Sequence, residues 1–195
     1  MIRFNDMNEK RKRNSQIQQS IIKIQTPLIK EALKELCSGD IVSISGTIYT
    51  ARDAAHKRMF ALINSGNPLP FDIENQIIYY VGPCPPAPGE VIGPAGPTTS
   101  GRMDAYAPAL IRLGLTGMIG KGSRTPDVIK AMKEYGAVYF GATGGAASLI
   151  AKKIKSSTLV AFEDLGAEAI RKLEVEDFPA IVLIDSDGNN LYETR

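Results

Sequence analysis

Three short segments of this 195-residue chain carry side chains able to hold an oxygen-rich anion. The first is Thr50-Ala51-Arg52-Asp53-Ala54-Ala55-His56-Lys57-Arg58, placed where strand signals give way to helix signals. Arg52 falls in the first helical turn, where unpaired backbone N–H groups and the positive end of the helix dipole favour negative charge. Its guanidinium adds a planar fork that matches a carboxylate. His56, four residues on, shares that face and reads equally as a ligand group or as a structural histidine. Thr50 and Asp53 have capping-box spacing and can be explained by the helix start alone. Lys57 and Arg58 read as solvated or interface charges. The second segment is Gly96-Pro97-Thr98-Thr99-Ser100-Gly101-Arg102-Met103-Asp104, three consecutive hydroxyls between glycines with an arginine close behind. The competing reading is a helix start capped by Thr or Ser, with Arg102 in solvent. The third, Gly120-Lys121-Gly122, sets a lysine between two glycines at a strand end, where the backbone can approach a ligand closely. Gly141-Ala142-Thr143-Gly144-Gly145 also opens a helix, but it is neither a Walker loop nor a dinucleotide fingerprint. Close helix–strand packing is its expected job.

Composition narrows the chemistry. Cys37 and Cys84 are the only cysteines and no CxxC occurs, so the chain alone cannot hold an iron–sulfur cluster or a structural zinc ion. His56 is the only histidine, which excludes a multi-histidine metal site and leaves a hydrolase triad one possible imidazole. Net charge is +2, giving no general reason to expect nucleic acid. The run Lys10-Arg11-Lys12-Arg13 is the one local exception, and it reads chiefly as a solvated tail. No apolar stretch is long enough to span a membrane and no signal peptide is legible, so a soluble, cytoplasmic protein is expected.

The elements that must position these residues alternate. Residues 1–25 read as a flexible, basic lead-in, and residues 26–195 as a single domain. A helix is predicted from Thr26 to Gly39, with Thr26 as N-cap, Pro27 at the first position and Ile29, Leu33, Leu36 and Cys37 on one face. A strand over 41–48 and a helix over 51–64 follow, then a strand over 77–81. Residues 82–97 hold six prolines and four glycines and form a rigid surface excursion of the kind that tends to be functional. Beyond it come a helix opened by Thr125-Pro126 and closed by Gly136, a strand at 138–140, a helix over 146–155, and strands at 159–162 and 180–185. This alternation predicts an α/β layered domain.

In this order, the three segments resemble the class I fumarase and L-tartrate dehydratase family, specifically its C-terminal domain or separate beta subunit. The likeness runs from about Ile24 to Tyr192, and includes Ser45-Gly46-Thr47 ahead of the first segment and Leu173-Glu174-Val175-Glu176-Asp177-Phe178-Pro179-Ala180 near the end. It implies a swivelling β/β/α fold and a hydro-lyase that reversibly hydrates fumarate to L-malate, or dehydrates L-tartrate to oxaloacetate. It also implies that an alpha subunit supplies three cysteines to a [4Fe–4S] cluster with one open iron, in an assembly of two alpha and two beta subunits. Carried over by motif, Arg52 and Arg102 grip substrate carboxylates, with Thr99 and His56 beside them. Lys121 adds positive charge, and Thr98 exchanges a proton with the substrate carbon. A threonine hydroxyl is a poor base, so that role requires nearby cations to favour its alkoxide or a relay to another group. The long basic N-terminal segment departs from the family pattern. Two other readings stay open: a binding module that keeps the fold without catalysis, and a nucleic-acid-binding protein resting on the basic run.

Overall fold

Apolar residues fill both alternating faces at 77–80, 117–120 and 138–141, so three strands must be covered on both sides. That requirement sets the architecture seen in the computed structural model, which describes residues 21–142 and 147–193. Strands β1 (Ile22–Gln25), β2 (Ile41–Thr50), β3 (Ile77–Tyr79), β4 (Gly117–Gly120) and β5 (Val138–Gly141) pair in parallel, in chain order. β6 (Ile154–Ala161) and the long β7 (Ile170–Ile184) follow, and β7 runs antiparallel to β2, β5 and β6. Because β7 bonds both β5 and β2, the sheet closes on itself into a barrel-like ring. The fold is α/β, as the alternation predicts.

The ring encloses one core and carries another outside it. Ile44, Ile48, Tyr79, Ile119, Phe140 and Phe178 point inward with their neighbours. Ile78, Tyr80, Met118 and Tyr139, one residue out of phase, face helices α2 (Asp53–Asn64), α3 (Ala107–Arg112) and α4 (Pro126–Tyr135). Two short helices, α1 (Lys30–Leu33) and α5 (Ala147–Ala151), complete the set. α4 has the predicted ends: Thr125 at the N-cap, Pro126 at the first position, and Gly136 closing it with φ 77°.

Several expectations change. The helix predicted over 26–39 shrinks to Lys30–Leu33. The Thr26 amide donates to Ser45 O (2.9 Å) and Leu28 to Asn75 O (2.9 Å), so the chain stays extended past Pro27 and those donors are spent on strand neighbours. Ile29 is consequently exposed, while Leu33 and Leu36 are buried. Residues 22–25, assigned to the lead-in, form β1 along the edge of β2. Thr50 does not cap α2. Its hydroxyl donates to Ala169 O (3.2 Å) and accepts from the Arg171 amide (3.0 Å), tying β2 to β7. The helix predicted to reach Lys155 ends at Ala151, because residues from Ile154 onward pair with β7. β7 itself begins ten residues before the predicted strand at 180. The Lys10–Arg13 run and most of the 141–145 turn lie outside the described residues.

The interior of the ring is where the fold is held most directly. Phe178 is fully buried and meets the Tyr79 ring edge to face at 5.2 Å. Replacing Phe178 with alanine should cost about 3–5 kcal/mol in urea-induced unfolding, from lost transfer energy plus a cavity. A loss below about 1 kcal/mol would mean the ring collapses around the gap and the barrel is not close-packed.

Candidate active site

The three candidate segments converge. β2, β3 and β4 are parallel neighbours, so the chain leaves all of them at the same edge, the carboxyl ends of the strands, where parallel sheets and barrels place their ligands. Arg52 follows β2. Thr98 returns to β3 from the proline-rich excursion: Val81 and Pro97 form an antiparallel bridge, and the Thr98 amide donates to Tyr80 O (2.8 Å). Lys121 follows β4, and Thr99 lies alongside it in a parallel bridge, with the Ser100 amide donating to Lys121 O (2.9 Å). This packing needs Gly120, because a Cβ there would fall 2.0 Å from Ser100 Oγ.

The helix-start reading of the second segment is half right. Ser100–Met103 form a single 3-10 turn with Thr99 in the N-cap position, yet no side chain caps it. Thr98 is half-buried, whereas Thr99, Arg102 and Lys121 are exposed. Among the described residues neither Arg102 nor Lys121 forms an ion pair, so two cations are presented to solvent with their hydrogen-bonding capacity available.

Arg52 is held differently. It occupies the N-cap of α2, and its guanidinium lies 3.3 Å from Glu168 and 3.4 Å from Asp53. Gly82, just beyond β3, makes room for it, since a Cβ at that position would fall 2.8 Å from Arg52 Nη1. The second Glu168 oxygen accepts the Ala54 amide at 3.0 Å. The helix N-terminus expected to welcome an external anion therefore already has a carboxylate of this chain. Glu168 sits in a 3-10 segment, Glu163–Glu168, leading into β7, and no spacing rule links it to Arg52.

His56 does not face the ligand edge. It is fully buried against Tyr80, ring centroids 5.2 Å apart, and its Nδ1–H donates to Arg52 O at 2.9 Å. Burial is the main cause that pulls its pKa down to about 4, offset in part by that bond. It is thus a neutral residue that fixes the start of α2 from behind, which corrects the expectation of direct substrate contact.

The sequence reading also missed a polar layer beneath the edge. Arg124 and Asp104 form a buried ion pair, Nε to Oδ1 2.7 Å, and Asp104 Oδ2 accepts the Thr125 amide at 2.7 Å, capping α4. Ser100 Oγ lies 2.8 Å from Tyr139 OH, which donates to Gly122 O at 2.9 Å. Asp104 closes the second segment and Arg124 lies three residues past Lys121, but twenty residues separate the pair, and sequence alone offers no reason to join them. Beside the edge, under the proline-rich excursion, a cavity of about 370 Å³ is lined by Cys84, Ile92, Ser157 and Arg171 among others. Cys84 is exposed there, and Cys37 is half-buried ahead of β2.

The Fumarase C-terminus family model matches residues 3–195, and the chain belongs to that family. It is 41% identical over 170 residues to the anaerobic class I fumarate hydratase of Escherichia coli, covering 85% of this chain and 31% of that protein. Fumarate hydratase 2 of Leishmania major is 40% identical over 166 residues, 84% of this chain and 29% of that protein. The chain thus spans about a third of the length of these fumarate hydratases. A provisionally named L(+)-tartrate dehydratase subunit beta of Methanocaldococcus jannaschii is 41% identical over 172 residues, 85% of this chain and 88% of that one.

The buried imidazole gives a pH test. Because its folded pKa lies below the unfolded value of 6.5, the folded state resists protonation. Its contribution to stability is complete above pH 6.5 and is lost as pH falls toward 4. Comparing wild type with His56→Asn by urea unfolding, wild type should lose about 2–3 kcal/mol more than the variant between pH 7 and 4.5. Parallel pH profiles would place the ring in solvent contact instead.

Proposed function

We propose that this chain is the carboxylate-gripping half of an iron–sulfur hydro-lyase, a beta subunit that reversibly hydrates fumarate to L-malate. The observation that carries the reading is the exposed pair Arg102 and Lys121, without an ionic partner among the described residues, on loops that share the β2–β3–β4 edge with Thr98 and Arg52. A dicarboxylate needs two anion grips. Arg102 and Lys121 supply one, while Arg52, oriented by Glu168 and by the His56 bond to its carbonyl, supplies the other. Thr99 adds an exposed hydroxyl at the rim.

Water addition to a carboxylate-conjugated double bond passes through a carbanion-like species whose charge spreads into the carboxylate. Fixed cations at that carboxylate stabilise it more than the ground state, which is the condition for catalysis. Thr98 is the proton-exchanging group. It is half-buried and adjoins Thr99, the residue bridged to Lys121, so the cations of this edge can favour its alkoxide, which an isolated threonine in water lacks.

The metal half of the chemistry does not fit this chain. A [4Fe–4S] cluster with one open iron takes three thiolates; Cys37 and Cys84 are the only two cysteines, and they lie in separate parts of the fold. Among the described residues no group of three or more His, Cys, Asp or Glu side chains could hold a metal ion. On this reading the cluster is carried by an alpha subunit, and the active species is the complex with it, taken as two alpha with two beta. The name of the Methanocaldococcus relative, a subunit beta that this chain covers over 88% of its length, supports the two-subunit arrangement. It also supports a second substrate reading, L-tartrate dehydrated to oxaloacetate, which needs the same carboxylate grips. No helix among the described residues is long and apolar enough to cross a membrane; the proposed reaction on small diacids is that of a cytoplasmic enzyme.

The test is reconstitution without oxygen. The chain alone should be inactive, and the complex should turn over fumarate or L-tartrate. Arg102→Gln should lower kcat/KM of the complex by about 10²–10³-fold, with a lower kcat as well as a higher KM, from loss of a charge-assisted contact that strengthens as charge builds on the carboxylate. A fully active Arg102→Gln complex would favour a non-catalytic binding module, and full turnover by the isolated chain would refute the divided site.

A further inference from the structure

Apart from Arg52, the residues proposed to touch substrate sit on two segments with little regular structure, 98–102 and 120–122. The Thr99–Lys121 bridge and the Ser100 amide bond to Lys121 O join the two along the backbone, and buried side chains behind them tie the turns that flank this junction. Tyr139, on β5, does so most directly. Its ring occupies a fully buried site that phenylalanine would fill equally well, so the hydroxyl is the part that needs explaining. That hydroxyl donates to Gly122 O at 2.9 Å and, its proton being used, accepts from Ser100 Oγ at 2.8 Å. One partner lies on each segment.

The Arg124 guanidinium stands against the same ring, 5.0 Å from its centroid, and 5.4 Å from the ring of Tyr80, whose carbonyl receives the Thr98 amide. Its side chain is fully buried and joins Asp104, two residues past the first segment, to the start of α4 just past the second. A buried ion pair is a weak source of stability compared with apolar residues of the same volume, because desolvation offsets most of the attraction. What it supplies instead is direction: two short bonds that hold residue 104 against residues 124 and 125.

We propose that Tyr139, Asp104 and Arg124 are positioning residues that lock the Thr98–Arg102 segment to the Lys121 turn, setting the separation of the two exposed cations and the aim of the Thr98 hydroxyl. None of the three touches the ligand edge; each acts through the segment it holds. The proposal deepens the carboxylate-binding reading and rests on it.

Tyr139→Phe is the discriminating variant, since it removes the bridging hydroxyl and leaves the ring in place. Arg124→Lys, which keeps the charge but not the fork, is its companion, and Tyr135→Phe on α4 serves as a control hydroxyl deletion. In the complete complex, Tyr139→Phe should lower kcat/KM by about 10- to 100-fold while the protein stays folded and assembled, and Tyr135→Phe should leave it unchanged. Amide hydrogen exchange should accelerate at residues 98–104 and 121–125 and stay at wild-type rates in β2 and β7. A folded, assembled Tyr139→Phe complex with kcat/KM within about twofold of wild type would overturn the proposal. So would a loss of activity matched by uniformly faster exchange. If the wild-type complex hydrates no dicarboxylate, the functional reading fails separately and exchange alone decides the positioning role. Selective acceleration in the two segments then supports it, and uniform or absent acceleration refutes it.

Discussion

Everything at the functional edge depends on the parallel ladder joining β2, β3 and β4. Thr50 is paired with Tyr79 and Tyr79 with Ile119, so three strands end in step and three different loops emerge side by side. Parallel strands cannot be joined by tight turns; each crossover must run back over the sheet, which places α2, α3 and α4 on the outer face and covers the apolar residues there. The strand ends are left free of packing duties and can carry polar residues. Closure of the ring through β7 adds one more consequence. The 3-10 segment that leads into β7 arrives beside α2, and with it comes Glu168, the carboxylate that holds Arg52.

Charge is distributed across this edge according to depth. Arg124 is fully enclosed and paired with Asp104; Arg52 is partly enclosed and shared between Asp53 and Glu168; Arg102 and Lys121 stand in solvent with no ionic partner among the described residues. The ordering follows from desolvation, because a buried charge persists only when paired, whereas an exposed one can remain available for a ligand. Under the proposed function it also bears on why the chain would need a partner surface. In water the attraction of Arg102 and Lys121 for a carboxylate is heavily screened. Covering the edge with a partner surface lowers the effective dielectric and makes the same charges several times more effective.

Much of this was legible in the sequence, and the parts that were not share a cause. Alternation gave the α/β class, Pro126 and Gly136 marked α4, and the glycine-flanked Thr98–Arg102 and Lys121 segments identified the edge residues before any contact was known. Local signals misled where long-range partners overrode them. Thr26-Pro27 has the form of a helix start but is spent on Ser45 and its neighbours, and Thr50 has capping-box spacing but bonds β7. His56 shares a helical face with Arg52, yet that face turns toward Tyr80, so it supports Arg52 from within. Glu168 to Arg52, Asp104 to Arg124 and Ser100 to Tyr139 are pairings across the fold, and sequence spacing carries no trace of them.

The central claim is that the ends of β2, β3 and β4 form a dicarboxylate seat. It is tested most directly by recording amide chemical shifts of the isotopically labelled chain during titration with fumarate and with L-tartrate. Shifts confined to residues 52–54, 98–102 and 120–122, and abolished by Arg102→Gln, are the predicted result. Shifts clustered instead around Cys84, Ser157 and Arg171 in the cavity beneath the proline-rich excursion, or shifts at the strand ends left unchanged by Arg102→Gln, would contradict the account.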